Sequence, residues 1–73
     1  MKTHKTALDG FTIELTVEHT GESLCTVSRG PYRAWLGTLV DTGWLVDPAG
    51  DVLPVPPRVI KRLTAWAVEF GFN

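Results

Sequence analysis

Aromatic and basic side chains are grouped in one short segment of the chain, residues 29–35, which has the sequence RGPYRAW. Arg29, Tyr32, Arg33 and Trp35 belong to residue types that often anchor protein–protein interfaces, because they combine a large contact area with hydrogen-bond donors. The segment therefore predicts recognition of a partner rather than the making or breaking of bonds. Ordinary packing of the same side chains within the fold is the alternative interpretation.

Basic side chains occur in two further groups. Arg58, Lys61 and Arg62 stand at i, i+3 and i+4, so a helix would place them on one face. Lys2 and Lys5 lie in the first eight residues, which contain no acidic side chain. The helical group could contact phosphate or an acidic protein surface, or be a solvated face. The N-terminal group could be part of a disordered segment, or of a basic tail that orders on a partner. The formal net charge of −1 does not by itself indicate nucleic-acid binding.

Catalysis finds little support among the remaining reactive residues. His4 and His19 form no HExxH motif, and the sequence contains no P-loop, no GxGxxG and no Cys-x-x-Cys. Cys25 is the single cysteine, so an internal disulfide is excluded, and its apolar neighbours predict a small core residue. Asp47 and Asp51 flank a Pro-Gly turn but lack the pattern of a calcium-binding loop. We therefore expect no enzyme activity, no metal and no cofactor.

The strands that would position these residues are predicted most clearly by the alternation after residue 10. Phe11, Ile13, Leu15 and Val17 alternate with polar residues, which is typical of a half-buried strand. Residues 24–28 can return beside this strand after a glycine-containing turn. Together the two segments predict a β-hairpin whose apolar face needs a cover.

A second hairpin and a helix are predicted in the second half of the chain. Residues 44–46 and 52–55 are short apolar runs on either side of a Pro-Gly turn. Pro54 cannot donate to a ladder and therefore predicts an edge strand. Residues 57–70 place apolar side chains at i, i+3, i+4 and i+7, with proline in the first turn. Gly71 is suited to a left-handed C-cap, with the following residue folding back on the last turn.

Residues 31–42 fit both helix and strand. We predict a short helix or turn over residues 31–36 and an extended segment after it, because Gly37 disfavours a helix that continues through it. Two of the three tryptophans, Trp44 and Trp66, are assigned to the core.

These elements define an α+β fold class, a small antiparallel β-sheet of two hairpins packed against one C-terminal α-helix. Residues 10–73 form a single domain, and residues 1–9, which show no period, are predicted to be a flexible basic arm. The 73 residues are 44% hydrophobic and 21% charged, as in a small globular domain, and no apolar run is long enough to span a membrane. A lone cysteine favours a reducing cytosol. We expect a monomer.

A family resemblance rests on the chain length, the lone cysteine, the hairpin-forming start and the run GPYRAWLGTLVDTGWLVDPAGDVLPVPPRVIKRLTAWAVEFGF. Together these features resemble small phage-encoded transcription regulators, and more narrowly the very small proteins by which phages infecting Xanthomonas bind host RNA polymerase. The resemblance implies a non-enzymatic protein of the host bacterial cytoplasm. It would bind the polymerase and inhibit initiation at host promoters, with antitermination as a second activity.

The predicted partner-binding residues come from the residue patterns alone, since the resemblance includes no motif that assigns them. They are Arg29, Tyr32, Arg33, Trp35, Arg58, Lys61, Arg62, Lys2 and Lys5. Two other classes of function stay open. The first is a small nucleic-acid-binding module that uses these cations, and nucleic acid could also lie near a bound polymerase. The second is a different phage protein directed against the host, for example an inhibitor of a defence nuclease. No membrane partner is expected.

Overall fold

Antiparallel strands in chain order form the single sheet of the computed structural model, which describes residues 1–72. The strands are Lys2–Leu8 (β1), Phe11–Val17 (β2), Ser23–Arg29 (β3), Tyr32–Trp35 (β4), Trp44–Val46 (β5) and Val52–Pro54 (β6), and the helices are Leu36–Thr42 (α1) and Pro57–Glu69 (α2). The predicted α+β class, an antiparallel sheet packed against a C-terminal helix, is confirmed. Asn73, the last residue of the predicted domain, lies outside the described residues. No helix within residues 1–72 is long and apolar enough to cross a membrane.

One face of the sheet, the inner face, packs against α2 and forms the core. Ile13 and Leu15 of β2 lie opposite Val27 and Cys25 of β3, and all four side chains are buried. The predicted alternation of β2 and the predicted core role of Cys25 are therefore confirmed. The buried side chains are Phe11, Ile13, Leu15, Cys25, Val27, Leu36, Leu39, Leu45, Val55, Val59, Leu63 and Ala67.

Helix α2 ends in a Schellman motif, in which two backbone amides satisfy carbonyls of the last turn. Gly71 has a φ of 109°, and its N–H donates to the carbonyl of Val68 at 3.2 Å. The N–H of Phe72 donates to the carbonyl of Ala67 at 2.9 Å, and the Phe72 ring packs against the core. The predicted left-handed cap is confirmed. The helix ends one residue before the end of the predicted range 57–70.

Residues 1–9 were predicted to be a flexible arm, but all except the first and the last of them form a strand of the sheet. Strand Lys2–Leu8 pairs with β2 along its whole length. The inward-facing residues of this edge strand include His4 and Thr6, which are polar and only half-buried. Because these inward positions are not apolar, the sequence shows no apolar alternation there. His4 also stacks against Phe70 at the end of α2, with ring centroids 4.7 Å apart. The prediction of an arm is corrected to an edge strand.

The predicted order of elements within residues 31–42 was wrong, because the strand comes before the helix. A tight turn at Gly30, with φ of 60°, places Tyr32 directly opposite Arg29. Strand β4 therefore begins at once and extends the sheet.

Helix α1 forms where an extended segment was predicted. Leu36 and Leu39, spaced i and i+3, are both buried in the core. Burial of these two side chains outweighs the unfavourable helix propensity of Gly37, since tertiary packing supplies most helical stability in proteins. The helix ends at Gly43, a left-handed cap with φ of 81° whose N–H donates to the carbonyl of Leu39.

The predicted second hairpin, formed by β5 and β6, is confirmed. Its turn contains Gly50 at a φ of 92°, and the N–H of Asp51 donates to Asp47 Oδ1 at 2.7 Å. Strand β6 is the last strand of the sheet, as Pro54 predicted.

Gly37 in the first turn of α1 and Gly43 at its C-cap should respond in opposite directions to substitution by alanine. Gly37 lies inside α1 and a Cβ there would meet open space, so Gly37→Ala should raise the free energy of unfolding by about 0.5–1 kcal/mol. A Cβ at Gly43 would also meet open space, but the positive φ disfavours alanine. Gly43→Ala should therefore lower the free energy of unfolding by about 1 kcal/mol. Urea denaturation followed by circular dichroism measures both. Equal changes in the two variants would contradict the assignment of α1.

Candidate partner-binding site

The face of the sheet that α2 leaves uncovered, the outer face, changes in polarity from one edge to the other. On β1 to β3 it presents mainly threonine and serine, together with an ion pair of 3.9 Å between Lys5 Nζ and Glu14 Oε2. On β4 and β5 it presents Trp35 and Trp44, which are 53% and 43% exposed, and Val46. The large apolar side chains of the outer face are therefore concentrated at its β4–β6 end.

Strand register arranges the outer face in rows that run across the sheet, with neighbouring side chains about 5 Å apart. One row consists of Lys5, Glu14, Thr26 and Trp35. The next row consists of Ala7, Thr12, Ser28, Arg33, Val46 and Val52. Each row begins with small or polar side chains and ends with apolar ones.

A cleft of about 520 Å³ opens on the outer face where β4, α1 and β5 meet, and we call it the tryptophan cleft. Trp35 directly precedes α1 and Trp44 directly follows its C-cap, so the two tryptophans flank this helix in sequence. Neither indole contacts another aromatic ring within residues 1–72. The lining residues are Glu14, Thr26, Arg33, Ala34, Trp35, Thr38, Thr42, Trp44 and Val46.

Arg33 is the cation of the tryptophan cleft. It lies between Ser28 on β3 and Val46 on β5, neither of which carries a charge. Among the described residues, no carboxylate lies within ion-pair distance of Arg33, and Glu14 on the same cleft pairs with Lys5 instead. The guanidinium is therefore exposed and available to a carboxylate of a partner, which it could bind through two parallel hydrogen bonds.

Strand alternation divides the segment that was predicted to act as one patch. Arg33 and Trp35 lie on the outer face, whereas Arg29 and Tyr32 oppose each other on the inner side. The guanidinium carbon of Arg29 lies 5.1 Å from the ring centroid of Phe11, and Tyr32 packs against the core. Only half of the predicted segment thus contributes to the cleft.

The remaining predicted cations lie on other parts of the surface. Arg58, Lys61 and Arg62 are exposed on α2, which covers the inner face and so lies across the sheet from the tryptophan cleft. Arg62 Nη1 is 3.7 Å from Asp9 Oδ2, and Lys61 lines a separate groove between α1 and α2. Lys2 begins β1 at the far edge of the sheet. The structure therefore does not bring the nine predicted residues together on one surface.

Several residues of the tryptophan cleft were not predicted as site residues. Trp44 was assigned to the core, but Leu45 takes the buried position of the short strand β5 and leaves Trp44 43% exposed. A three-residue apolar run allows either phase of alternation, so the sequence alone could not decide between them. Trp66 does pack against the core. Thr38 and Thr42 reach the cleft only because this part of the chain is helical.

Burial of Cys25 raises the pKa of its thiol from 9.0 to about 11. The folded chain then holds the thiol proton more tightly than the unfolded chain. The stability that the buried, protonated thiol contributes is therefore complete below pH 9. It is lost as the pH rises from 9 to 11. We expect the free energy of unfolding to fall between pH 8 and pH 10.5 by more in the native chain than in Cys25→Ala. Urea titrations at the two pH values measure this, and an equal fall in both chains would contradict it.

Comparison with protein-family models, with curated proteins and with solved structures finds no match to this chain. Within residues 1–72, no group of three or more His, Cys, Asp or Glu side chains is arranged to hold a metal ion.

Proposed function

We propose that this chain is a non-enzymatic regulator that binds host RNA polymerase in the bacterial cytoplasm and inhibits transcription initiation. The observation that carries the protein-binding part is the tryptophan cleft, where two half-exposed indoles stand beside an unpaired arginine. The resemblance to phage-encoded regulators supplies the polymerase as the partner. Antitermination is a second effect that the same binding could have on an elongating polymerase.

The apolar part of the tryptophan cleft supports binding to a protein surface. Burying the exposed half of one tryptophan removes roughly 100 Å² from water, which is worth about 2.5 kcal/mol. A standard protein interface covers roughly 800 Å² of each partner. This is a modest part of the 4768 Å² of accessible surface of the chain. The cleft and its exposed neighbour Val52, which pairs with Val46, supply apolar contacts for such an interface.

The charges of the described surface favour protein over nucleic acid as the partner. Lys5 pairs with Glu14 and Arg62 with Asp9, so two of the predicted phosphate-binding cations already face carboxylates. Arg29 lies over the ring of Phe11 on the other side of the sheet from the tryptophan cleft. A nucleic-acid surface needs several cations along one track, because affinity comes mainly from neutralised phosphates.

Retention on immobilised bacterial RNA polymerase tests the proposal. We expect the native chain at micromolar concentration to be retained. We expect Trp35→Ala to bind at least about 30-fold more weakly, because an exposed indole at the centre of an interface typically contributes 2 kcal/mol or more. Arg33→Glu should also weaken binding. Both variants should keep the native circular dichroism spectrum, since Trp35 and Arg33 are exposed.

Val68→Ala is the matched control, because Val68 is 57% exposed on α2, away from the outer face. It should be retained like the native chain. A parallel transcription assay from a host promoter should show inhibition by the native chain and by Val68→Ala, but not by Trp35→Ala. Absence of retention of the native chain, or equal losses in Trp35→Ala and Val68→Ala, would overturn the proposal.

A further inference from the structure

We infer that the tryptophan cleft binds an extended acidic peptide segment, in which a large apolar side chain is followed or preceded two residues away by a carboxylate. The inference rests on the part of the proposed function that assigns protein binding to this cleft. It does not depend on which protein supplies the segment.

The apolar component of the segment follows from the two indoles. Trp35 and Trp44 line the same cleft, together with Val46, and neither ring is covered by another aromatic ring within residues 1–72. Indole faces left open at a concave site favour a planar or bulky apolar side chain, which can make offset or edge-to-face contacts with them. We therefore assign this position of the segment to an aromatic or large aliphatic residue.

The acidic component follows from the charges around the cleft. Glu14 is balanced by Lys5 at 3.9 Å, so this pair adds little net field. Arg33 faces only Ser28 and Val46 across the strands and keeps its full positive charge. The cleft is therefore left with one uncompensated cation, which favours a carboxylate and disfavours a lysine or arginine in the bound segment.

The spacing of the two components follows from strand geometry. Arg33 and Trp35 are two residues apart on β4, and side chains at i and i+2 of a strand lie roughly 7 Å apart on the same face. An extended peptide lying along β4 has the same repeat, so its carboxylate and its apolar side chain should also be two residues apart. The hydroxyls of Thr26 and Thr38 line the cleft and make no hydrogen bond to other described residues, so they can bond to the peptide backbone.

A single-stranded nucleic acid would also stack on exposed tryptophans, but the charges of the cleft argue against it. Proteins that bind single strands combine stacking residues with a basic groove that follows the phosphates. The outer face carries only Arg33 and the paired Lys5 as cations within the described residues. One free cation matches one carboxylate better than it matches a phosphate backbone.

Nuclear magnetic resonance titration tests the inference, because the three tryptophans of the chain give three separate indole N–H signals. The probe is the peptide acetyl-Ser-Asp-Ser-Phe-Ser-Asp-Ser-amide. We expect it to shift the signals of Trp35 and Trp44 and to leave that of Trp66 unchanged, because Trp66 packs against the core on α2. The matched peptide with Asn in place of both Asp should bind about three- to tenfold more weakly, as expected for loss of one partly exposed charged contact.

Variants at Arg33 complete the test without disturbing the core. Arg33→Gln should bind the Asp and Asn peptides equally, and Arg33→Glu should prefer a peptide with Lys in place of Asp. Equal binding of both peptides by the native chain, or shifts confined to Trp66, would overturn the inference. Tight binding of ten-residue oligothymidine that weakens steeply with salt would also overturn it and identify a nucleic-acid site. Peptide binding without retention on polymerase would support the inference and overturn only the choice of polymerase as partner.

Discussion

Replacing Leu63 with alanine should lower the free energy of unfolding by about 2–5 kcal/mol. Leu63 lies in the middle of α2 and is fully buried within the cluster that joins this helix to the inner face. A close-packed core does not collapse completely around a missing side chain, so a cavity term adds to the lost burial. Since a domain of this size has roughly 3–5 kcal/mol of net stability, the variant should be largely unfolded under mild denaturing conditions.

Val68→Ala on the same helix is the matched control for Leu63→Ala. Its side chain is exposed, so its free energy of unfolding should stay within about 0.5 kcal/mol of the native value. Urea denaturation followed by circular dichroism compares the two variants. If Leu63→Ala were as stable as Val68→Ala, α2 would not be the element that covers the inner face.

Removing residues 1–8 should destabilise the domain by about 2 kcal/mol or more, because it strips one whole strand from the sheet and uncovers apolar area beneath it. Strand β1 pairs with β2 over its full length, and Leu8 packs against the core. The His4–Phe70 ring contact, which ties β1 to the end of α2, is lost as well. A flexible arm could be removed without such a cost.

The matched control for this truncation keeps the strand and removes its charge. Lys2→Ser combined with Lys5→Ser should unfold at nearly the same urea concentration as the native chain, since both side chains are exposed and the Lys5–Glu14 pair is weak. A truncated chain with an unchanged unfolding midpoint would show that β1 adds nothing to the stability of the domain.

The parts of the fold that could be predicted from the sequence are those in which each residue position has one clear environment. In β2, Phe11, Ile13 and Leu15 are buried, and the residues that alternate with them face the outer side, so the alternation is regular. In α2, the buried Val59, Leu63 and Ala67 follow the helical repeat at i, i+4 and i+8. Such long, regular patterns are the most dependable signals in a sequence.

The parts that could not be predicted depend on contacts with other elements of the fold rather than on their own residue pattern. Strand β1 owes its place to pairing with β2, and its own inward positions are polar or half-buried. Helix α1 is only seven residues long and contains Gly37, so it exists because Leu36 and Leu39 are buried against other elements. Local propensity is a weak guide to short elements of this kind.

The candidate site could be predicted only in part, for a related reason. Arg33 and Trp35 have the residue types of an interface anchor, and both lie on the tryptophan cleft. Their separation from Arg29 and Tyr32 follows from β4 being a strand, which the ambiguous pattern of residues 31–42 did not reveal. The contribution of Trp44 required knowledge of the phase of β5.

The chain-order arrangement of the strands has a consequence for how the domain folds. Every strand pairs with its immediate neighbour in sequence, and only the β4–β5 connection contains a helix, so each pair closes over a short stretch of chain and can form as soon as its own residues are available. Helix α2 follows all six strands among the described residues, yet it supplies the cover of the inner face. During synthesis, the apolar side chains of the inner face therefore stay exposed until the thirteen residues of α2 have left the ribosome. In that interval, aggregation competes with completion of the fold, and a chaperone would have its best opportunity to bind.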